Sequence, residues 1–265
     1  MKPQCTRTRF TLTSGLRQVV MAAAVVACAV PLTMAVAGPM DWLGGSVQGS
    51  GKVVKQTRAL AHFTGVNLNL PGDLELRLGN SESITIETDD NLLPQIESVI
   101  EDGVLRIRPL KRNTNLRSRT MHIVVYAKTI DRLALAGSGS IDSDALKGSK
   151  LQFDIGGSGS INLKGMDAEA VAISVGGSGD LKSGGGKARS ISISIGGSGD
   201  VDVGKVQASD ASVSVAGSGE AVVWATTGLS VTIAGSGDVS YFGDPKVSTS
   251  VLGSGDITRL GSAPK

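Results

Sequence analysis

Seven copies of Gly-Ser-Gly, beginning at Gly137, Gly157, Gly177, Gly197, Gly217, Gly235 and Gly253, stand at four intervals of 20 residues followed by two of 18. Spacing this regular marks one supersecondary unit used again and again, so the fold has to be one that stacks. Two positions ahead of each triplet stand Leu135, Ile155, Val175, Ile195, Val215, Ile233 and Val251. Four ahead stand Leu133, Phe153, Ile173, Ile193, Val213, Val231 and Thr249, and four beyond the first glycine stand Ile141, Ile161, Leu181, Val201, Ala221, Val239 and Ile257. The three columns are apolar apart from Thr249, and small polar residues such as Ser174, Ser194, Ser214, Thr232 and Ser250 fall between them. Alternation of period two is the pattern of strands with one buried face.

A 20-residue unit with four or five buried aliphatic side chains cannot offset the entropy of ordering its own backbone. Neighbouring units have to share ladder hydrogen bonds and continuous apolar columns. The expected fold is all-β, a β-solenoid of about 18 to 20 residues per coil with coils about 4.8 Å apart. Counting in steps of two from the buried columns puts both glycines of each triplet on the inward phase and the serine on the outward phase. The pairs Gly137/Gly139, Gly157/Gly159, Gly177/Gly179, Gly197/Gly199, Gly217/Gly219, Gly235/Gly237 and Gly253/Gly255 then read as a structural corner, where a bend or a close backbone approach excludes a side chain.

Composition fits a thin, repetitive β architecture: 265 residues, 36 of them glycine, with only 3% aromatic. Residues 1–37 read as a signal peptide, with Lys2, Arg7, Arg9 and Arg17 ahead of an apolar run that closes on Ala35-Val36-Ala37. A transmembrane anchor is the alternative, against which Pro31 and the small-residue flank argue. A lipobox-like Val25-Val26-Ala27-Cys28 offers lipidation at Cys28, against which the apolar run continuing past Cys28 argues. Cleavage after Ala37 removes Cys5 and Cys28, the only cysteines, and leaves no disulfide and no thiolate chemistry. It also removes four of the 26 basic residues and none of the 24 acids, so the balance of +2 becomes −2. A generally basic nucleic-acid binder is not indicated. The expected location is exported: periplasmic, associated with the outer membrane, or extracellular, with no transmembrane span after signal removal.

Residues 38–57 lack apolar patterning and read as a flexible leader. Residues 58–130 read as irregular first coils or a β-rich cap, with strands expected at 66–70, 74–78, 84–88, 104–108 and 121–126 and one short helical turn between Asp89 and Gly103. The repeat solenoid follows over 131–260, and 261–265 form a tail.

The order of "LAHFTGVNLNLPGDLELRLG", "ITIETDDNLLPQIESVIEDGVLRIRP", "RLALAGSGSID" and the later Gly-Ser-Gly strands resembles a bacterial family, the auto-transporter adhesin head domains called GIN domains, over roughly residues 58 to 260. The resemblance implies a right-handed, single-stranded β-helix exported to the envelope, with no enzymatic activity and no catalytic residues to carry over.

Candidate chemistry is sparse. Asp180, Asp200, Glu220, Asp238 and Asp256 occupy one column, and stacked about 4.8 Å apart they repel by about 0.9 kcal/mol per neighbour in water. Solvated side chains with Lys182, Lys187 and Lys205 nearby are the bland reading; a weak cation ladder is the sharper one. The order Gly-Gly-Ser-Gly-Asp differs from calcium-binding nonapeptides in both the place of the acid and the period. Seven equivalent serines flanked by glycine do not make a nucleophile elbow, and His62 and His122 read as structural. No catalytic residue, metal site or cofactor is expected.

The densest charge run, "RIRPLKRNTNLRSR" at 106–119, carries six basic residues. It suits an anionic glycan or lipopolysaccharide phosphate, or else a loop balanced by the acids between Glu82 and Asp102. Without interleaved aromatics it is no nucleic-acid platform. Together these features point to a non-enzymatic envelope protein of adhesin or surface-interaction type, acting through an extended face on an envelope glycan, a surface polymer or a second copy of itself. A glycan-active β-helix enzyme of the lyase or hydrolase type is the alternative, by analogy of architecture alone.

Overall fold

The computed structural model describes residues 45–112 and 114–265. Residues 1–37, read above as a signal peptide, and both cysteines lie outside the described residues. The described chain is nearly all β, and its C-terminal half is a β-solenoid of about six turns.

One coil shows the construction. A long strand, Leu146–Gly157, runs into the first turned corner, a short strand, Ser160–Leu163, follows, and a tight turn leads into the next long strand, Met166–Gly177. Each residue pairs in parallel with the one 20 positions on: Leu151 with Val171, Val171 with Ile191, Ile191 with Ala211. Between Val201–Gly217 and Glu220–Gly235 the register slips past Asp202 and again past Ala208. From Asp210, which pairs with Gly228, the offset is 18. The shortened period in the sequence is therefore a local excision on one side of the coil, while the corner stays in line.

The apolar columns form the core. Phe153, Ile173, Ile193, Val213 and Val231 stack in register and are all but fully buried, as are Ile161, Leu181, Val201, Ala221 and Val239. Leu146, Met166 and Val206 close a further side of the coil, which the columns around the triplet do not include.

The N-terminal part departs from sequence order. The coil made by Gly65–Leu68 and Asp73–Leu78 pairs on one side with Arg132–Gly137 and Ser140–Ser143, which follow it in the stack. On its other side it pairs in parallel with Val104–Pro109 and His122–Ala127. The chain thus lays down its second layer first, turns back to build the first, and then crosses to the third. Antiparallel strands finish this end. Ile96–Glu101 pairs with Val104–Pro109, and Ser83–Asp89 bridges His122–Ala127 and Val53–Ala59. An end closed this way offers no parallel edge for another coil to continue.

Two expectations change here. Residues 38–57 are not a leader throughout, because Ser46–Gln48 pairs with Asn115–Arg117 and Val53–Ala59 forms the outer strand of the cap. The alternation Val54, Gln56, Arg58 fails to read as a strand because no apolar column is buried along it; Val53–Ala59 is an edge, with Lys55 and Arg58 on it. The turn within 89–103 is a 3-10 turn at Leu93–Gln95, held by Pro94, and the strand after it ends in a tight reversal at Asp102-Gly103, both with positive φ. At the C-terminal end, Lys246–Gly253 is exposed along its length, and Val247, Val251, Leu252 and Leu260 lie open. No helix among the described residues is long and apolar enough to cross a membrane.

Carboxylates tie the first layers together. Lys164 donates to Asp144 at 2.8 Å and the backbone N–H of Leu78 donates to it at 3.1 Å, which hold its carboxyl below the ordinary range. Glu82 is held low by His62, at 2.6 Å, and by Lys128. Asp90 is held low by Ser50, and Glu101 by Arg108. Groups depressed in the folded state stabilise it above their unfolded pKa, near 4, and that contribution disappears as pH falls through the lower folded value. All four lie between Glu82 and Asp144. Hydrogen exchange at about pH 3, compared with neutral pH, is expected to show the cap losing protection ahead of the coils from Leu151 onward. Equal loss in both halves would count against this assignment.

Candidate functional site

Four features of the surface compete for the role of a site, and the corner ridge comes first. The first glycine of every triplet has positive φ, from +126° at Gly137 to +144° at Gly197. It is the bend itself and lies partly or fully exposed, which corrects the expectation that both glycines point inward: the chain is not extended there, so parity breaks. The second glycines differ from the first in not bending the chain. Gly139, Gly159, Gly179, Gly199, Gly219, Gly237 and Gly255 all lack positive φ, so none of them turns the chain. Their part is close approach alone. Gly139, Gly159, Gly179, Gly199, Gly219 and Gly237 are buried, whereas Gly255, in the last coil, is only half-buried because no further layer covers it.

A Cβ on Gly139 would stand 2.6 Å from the carbonyl oxygens of Leu70 and Gly72. Leu70-Pro71-Gly72 holds the triplet's place in the preceding coil. In every later coil the obstacle is the carbonyl oxygen of the second glycine one layer back: Gly139 under Gly159, Gly159 under Gly179, Gly179 under Gly199, Gly199 under Gly219, Gly219 under Gly237 and Gly237 under Gly255. Two glycines in one triplet therefore meet two separate demands, a bend and a backbone-to-backbone contact. Each serine between them is exposed, and from Ser158 onward its N–H bonds the carbonyl of the first glycine in the coil before, as Ser178 does to Gly157 at 2.9 Å.

Beside the ridge, the acids do stand in one file. The carboxylates of Asp180, Asp200 and Asp238 are occupied by neighbouring backbone. Asp180 accepts from the N–H of Asp200 at 3.3 Å, Asp200 from Glu220 at 3.0 Å, and Asp238 from Asp256 at 2.8 Å. Glu220 interrupts the series, for its longer side chain leaves the N–H of Asp238 to bond Gly219 instead, at 3.2 Å. An acid after Gly-Ser-Gly therefore caps the start of the short strand one coil on, and each backbone bond offsets part of the repulsion between neighbours. Among the described residues no group of three His, Cys, Asp or Glu side chains is placed to hold a metal ion.

The third feature is assembled from three distant parts of the chain. A cavity of about 710 Å³ lies against the outer side of the first layers, between Val104–Pro109, the coil at 65–72 and the corner at Gly137-Ser138. Arg106, Arg108 and Arg112 line it together with Asn67, Asn69 and Asn115, and no acidic side chain among the described residues does. Arg108 is fully engaged on the far side: its Nε donates to Glu97 at 2.8 Å and its Nη2 to Glu101 at 2.8 Å. That pairing raises the Arg108 pKa, Glu101 first and Glu97 second, and keeps the group charged. Arg106 meets Glu101 through Nε, at 2.8 Å, in an ion pair that lacks hydrogen-bond geometry. Balance by the Glu82–Asp102 stretch thus reaches Arg106 and Arg108; Arg112 makes no ion pair with another described residue.

His62 pairs with Glu82, and His122 lies exposed on its strand. The fourth feature is an exposed face whose pattern the sequence shows only in part. Ser174, Ser194, Ser214, Thr232 and Ser250 are paired in register along one column, and Ser192, Ser212, Ser230 and Ser248 along the next, all exposed.

Comparison with known proteins agrees with this architecture. Residues 62–245 match the family described as "Putative auto-transporter adhesin, head GIN domain". A crystal structure from Bacteroides fragilis, described as a putative adhesin, superposes with a TM-score of 0.76 at 21% identity over 81% of this chain and 100% of that one. One from Parabacteroides distasonis, described as a putative lipid binding protein, gives 0.67 at 25% identity over 81% and 99%. A third, a putative adhesin from Parabacteroides merdae, gives 0.66 at 20% identity over 82% and 99%. No curated protein matches the chain.

Proposed function

The chain belongs to the family described as "Putative auto-transporter adhesin, head GIN domain", and on that premise we propose that it is an exported, non-enzymatic protein of the cell envelope that engages a repetitive surface polymer through an extended face. The observation that carries this reading is the double file of hydroxyls: nine exposed serine and threonine side chains on adjacent positions of successive coils. Ladder pairing fixes their spacing at about 4.8 Å along the stack. A face that repeats at a constant interval is complementary to a ligand that does the same, and small side chains let a polymer lie close along its length.

Fractionation of cells making the protein, with the mass of its N-terminus, tests export; cleavage after Ala37 is the expected result, and protein retained in the cytoplasm overturns the reading. Sedimentation of the purified protein with envelope polysaccharide tests the face. The double substitution Ser194→Tyr with Ser214→Tyr, both outward and exposed, is expected to reduce co-sedimentation at least tenfold without moving the melting temperature. Release of new reducing ends from the polysaccharide would replace adhesion by glycan cleavage.

A further inference from the structure

We propose that the cavity framed by Arg106, Arg108 and Arg112 is a binding site for an oligosaccharide that carries an anionic group, a carboxylate or a phosphate. Three guanidinium groups line the cavity and no acid among the described residues does; Glu97 and Glu101 offset the charges of Arg108 and Arg106, and that of Arg112 has no ion-pair partner among the described residues. Arg108 is fixed by Glu97 and Glu101 and serves as the rigid wall. Arg106 meets Glu101 in an ion pair at 2.8 Å, and neither its side chain nor that of Arg112 donates a hydrogen bond to another described residue. A planar fork is the group that grips carboxylate or phosphate through two parallel hydrogen bonds.

The neutral groups decide between a bare anion and a sugar. Asn67, Asn69 and Asn115 bring three primary amides to the same cavity, and none of them is used in a side-chain hydrogen bond to another described residue. Each amide offers a donor pair and an acceptor, which matches sugar hydroxyls, themselves both donor and acceptor. Pro71, Pro109 and Ala136 add carbon surface for the C–H face of a ring. The volume, about 710 Å³, falls in the range of small-molecule sites, roughly 300–1,000 Å³, and is far larger than a lone oxyanion needs. No aromatic side chain among the described residues lines the cavity, so these residues offer stacked nucleobases no platform. The inference deepens the envelope-surface reading and rests on it for where such a ligand is met, but binding itself is measured on the purified protein and does not depend on location.

Calorimetric titration of the purified full chain separates the alternatives with four probes: trigalacturonate for the carboxylate, mannose 6-phosphate for the phosphate, inorganic phosphate alone, and neutral maltotriose. One of the two charged sugars is expected to bind at least tenfold more tightly than maltotriose and than inorganic phosphate, and to weaken as salt rises through about 0.15 M. Whichever binds identifies the anionic group. Arg112→Gln, in a loop where it makes no ion pair with another described residue, is expected to weaken binding about tenfold, and Arg106→Gln with it by more. Lys182→Gln on a distant coil should change nothing. The proposal is overturned if neither charged sugar binds, if maltotriose or inorganic phosphate binds equally well, or if Arg112→Gln is silent. Should sugar binding persist in a protein that stays in the cytoplasm, only the envelope reading falls.

Discussion

Gly177→Ala is expected to destabilise the protein by about 4 kcal/mol, whereas Gly176→Ala, one residue away, is expected to change stability by less than about 0.5 kcal/mol. The two glycines are neighbours in the same Gly-Gly-Ser-Gly-Asp, yet only one is fixed by the fold. Gly177 has φ of +135°, and a Cβ there would collide with the backbone of Gly157 in the coil beneath. Backbone cannot swing aside as a flexible side chain would, so either two coils separate locally or the corner flattens. At Gly176 the nearest atom to an added Cβ is the carbonyl oxygen of Ile155, at 3.9 Å, and φ is ordinary. The chain itself already makes the neutral substitution, since Ala136, Ala216 and Ala234 hold that position in other coils. Thermal melts of the two variants check the pair; for a chain of this size the first should lose about 10 °C. Equal losses at the two positions would mean that the corner owes nothing to the conformation of its first glycine.

That contrast also marks how far the sequence carries. The repeat, its three apolar columns and the corner are all legible because each depends on side chains one coil apart, and a coil of constant length turns a neighbour in space into a neighbour at fixed separation in sequence. What parity cannot separate is the two glycines of a triplet: Gly177 and Gly179 share one phase, yet the first bends the chain and the second lies against the backbone of Gly159. The first layers break the rule of constant separation altogether. Gly65–Leu68 lies between Val104–Pro109 and Arg132–Gly137, and nothing local in "GVNL" encodes which of two later strands lies on which side. A nearer signal is present: Asp102-Gly103 between "IESVIE" and "VLRIRP" is the two-residue connection of a hairpin, which a helical-turn reading of 89–103 passes over. The basic run is legible as charge, but the cavity is not, because Asn67 and Asn69 arrive from one coil and Gly137 and Ser138 from another. For the acid file the sequence supplies the repulsion and hides the compensation, since the acceptor's partner is a backbone N–H one coil away, which carries no residue type.

Ile193→Asp is expected to cost about 5 kcal/mol or more, and Ser194→Asp, the adjacent residue, to be nearly silent. Ile193 is 1% exposed, stacked between Ile173 and Val213, with the buried columns of Ile191 and Ile195 on either side. An aspartate there has no cation and no donor within the core, so it must either stay buried and unpaired, take up a proton, or open the coil. Ser194 points the other way, into the exposed hydroxyl file. How the damage spreads follows from the architecture. Each coil touches only the coils directly above and below, so disruption at Ile193 should first release the strands Met166–Gly177 and Val201–Gly217. The cap is joined to the repeats through Gly65–Leu68 and Arg132–Gly137 and keeps its own ladders and ion pairs. Hydrogen exchange on Ile193→Asp is therefore expected to show coils from Met166 to Gly217 unprotected while Ser83–Asp89 and His122–Ala127 remain slow. Uniform loss across both halves would show that the stack unfolds as one cooperative body, and that the nearest-neighbour picture of its stability is wrong.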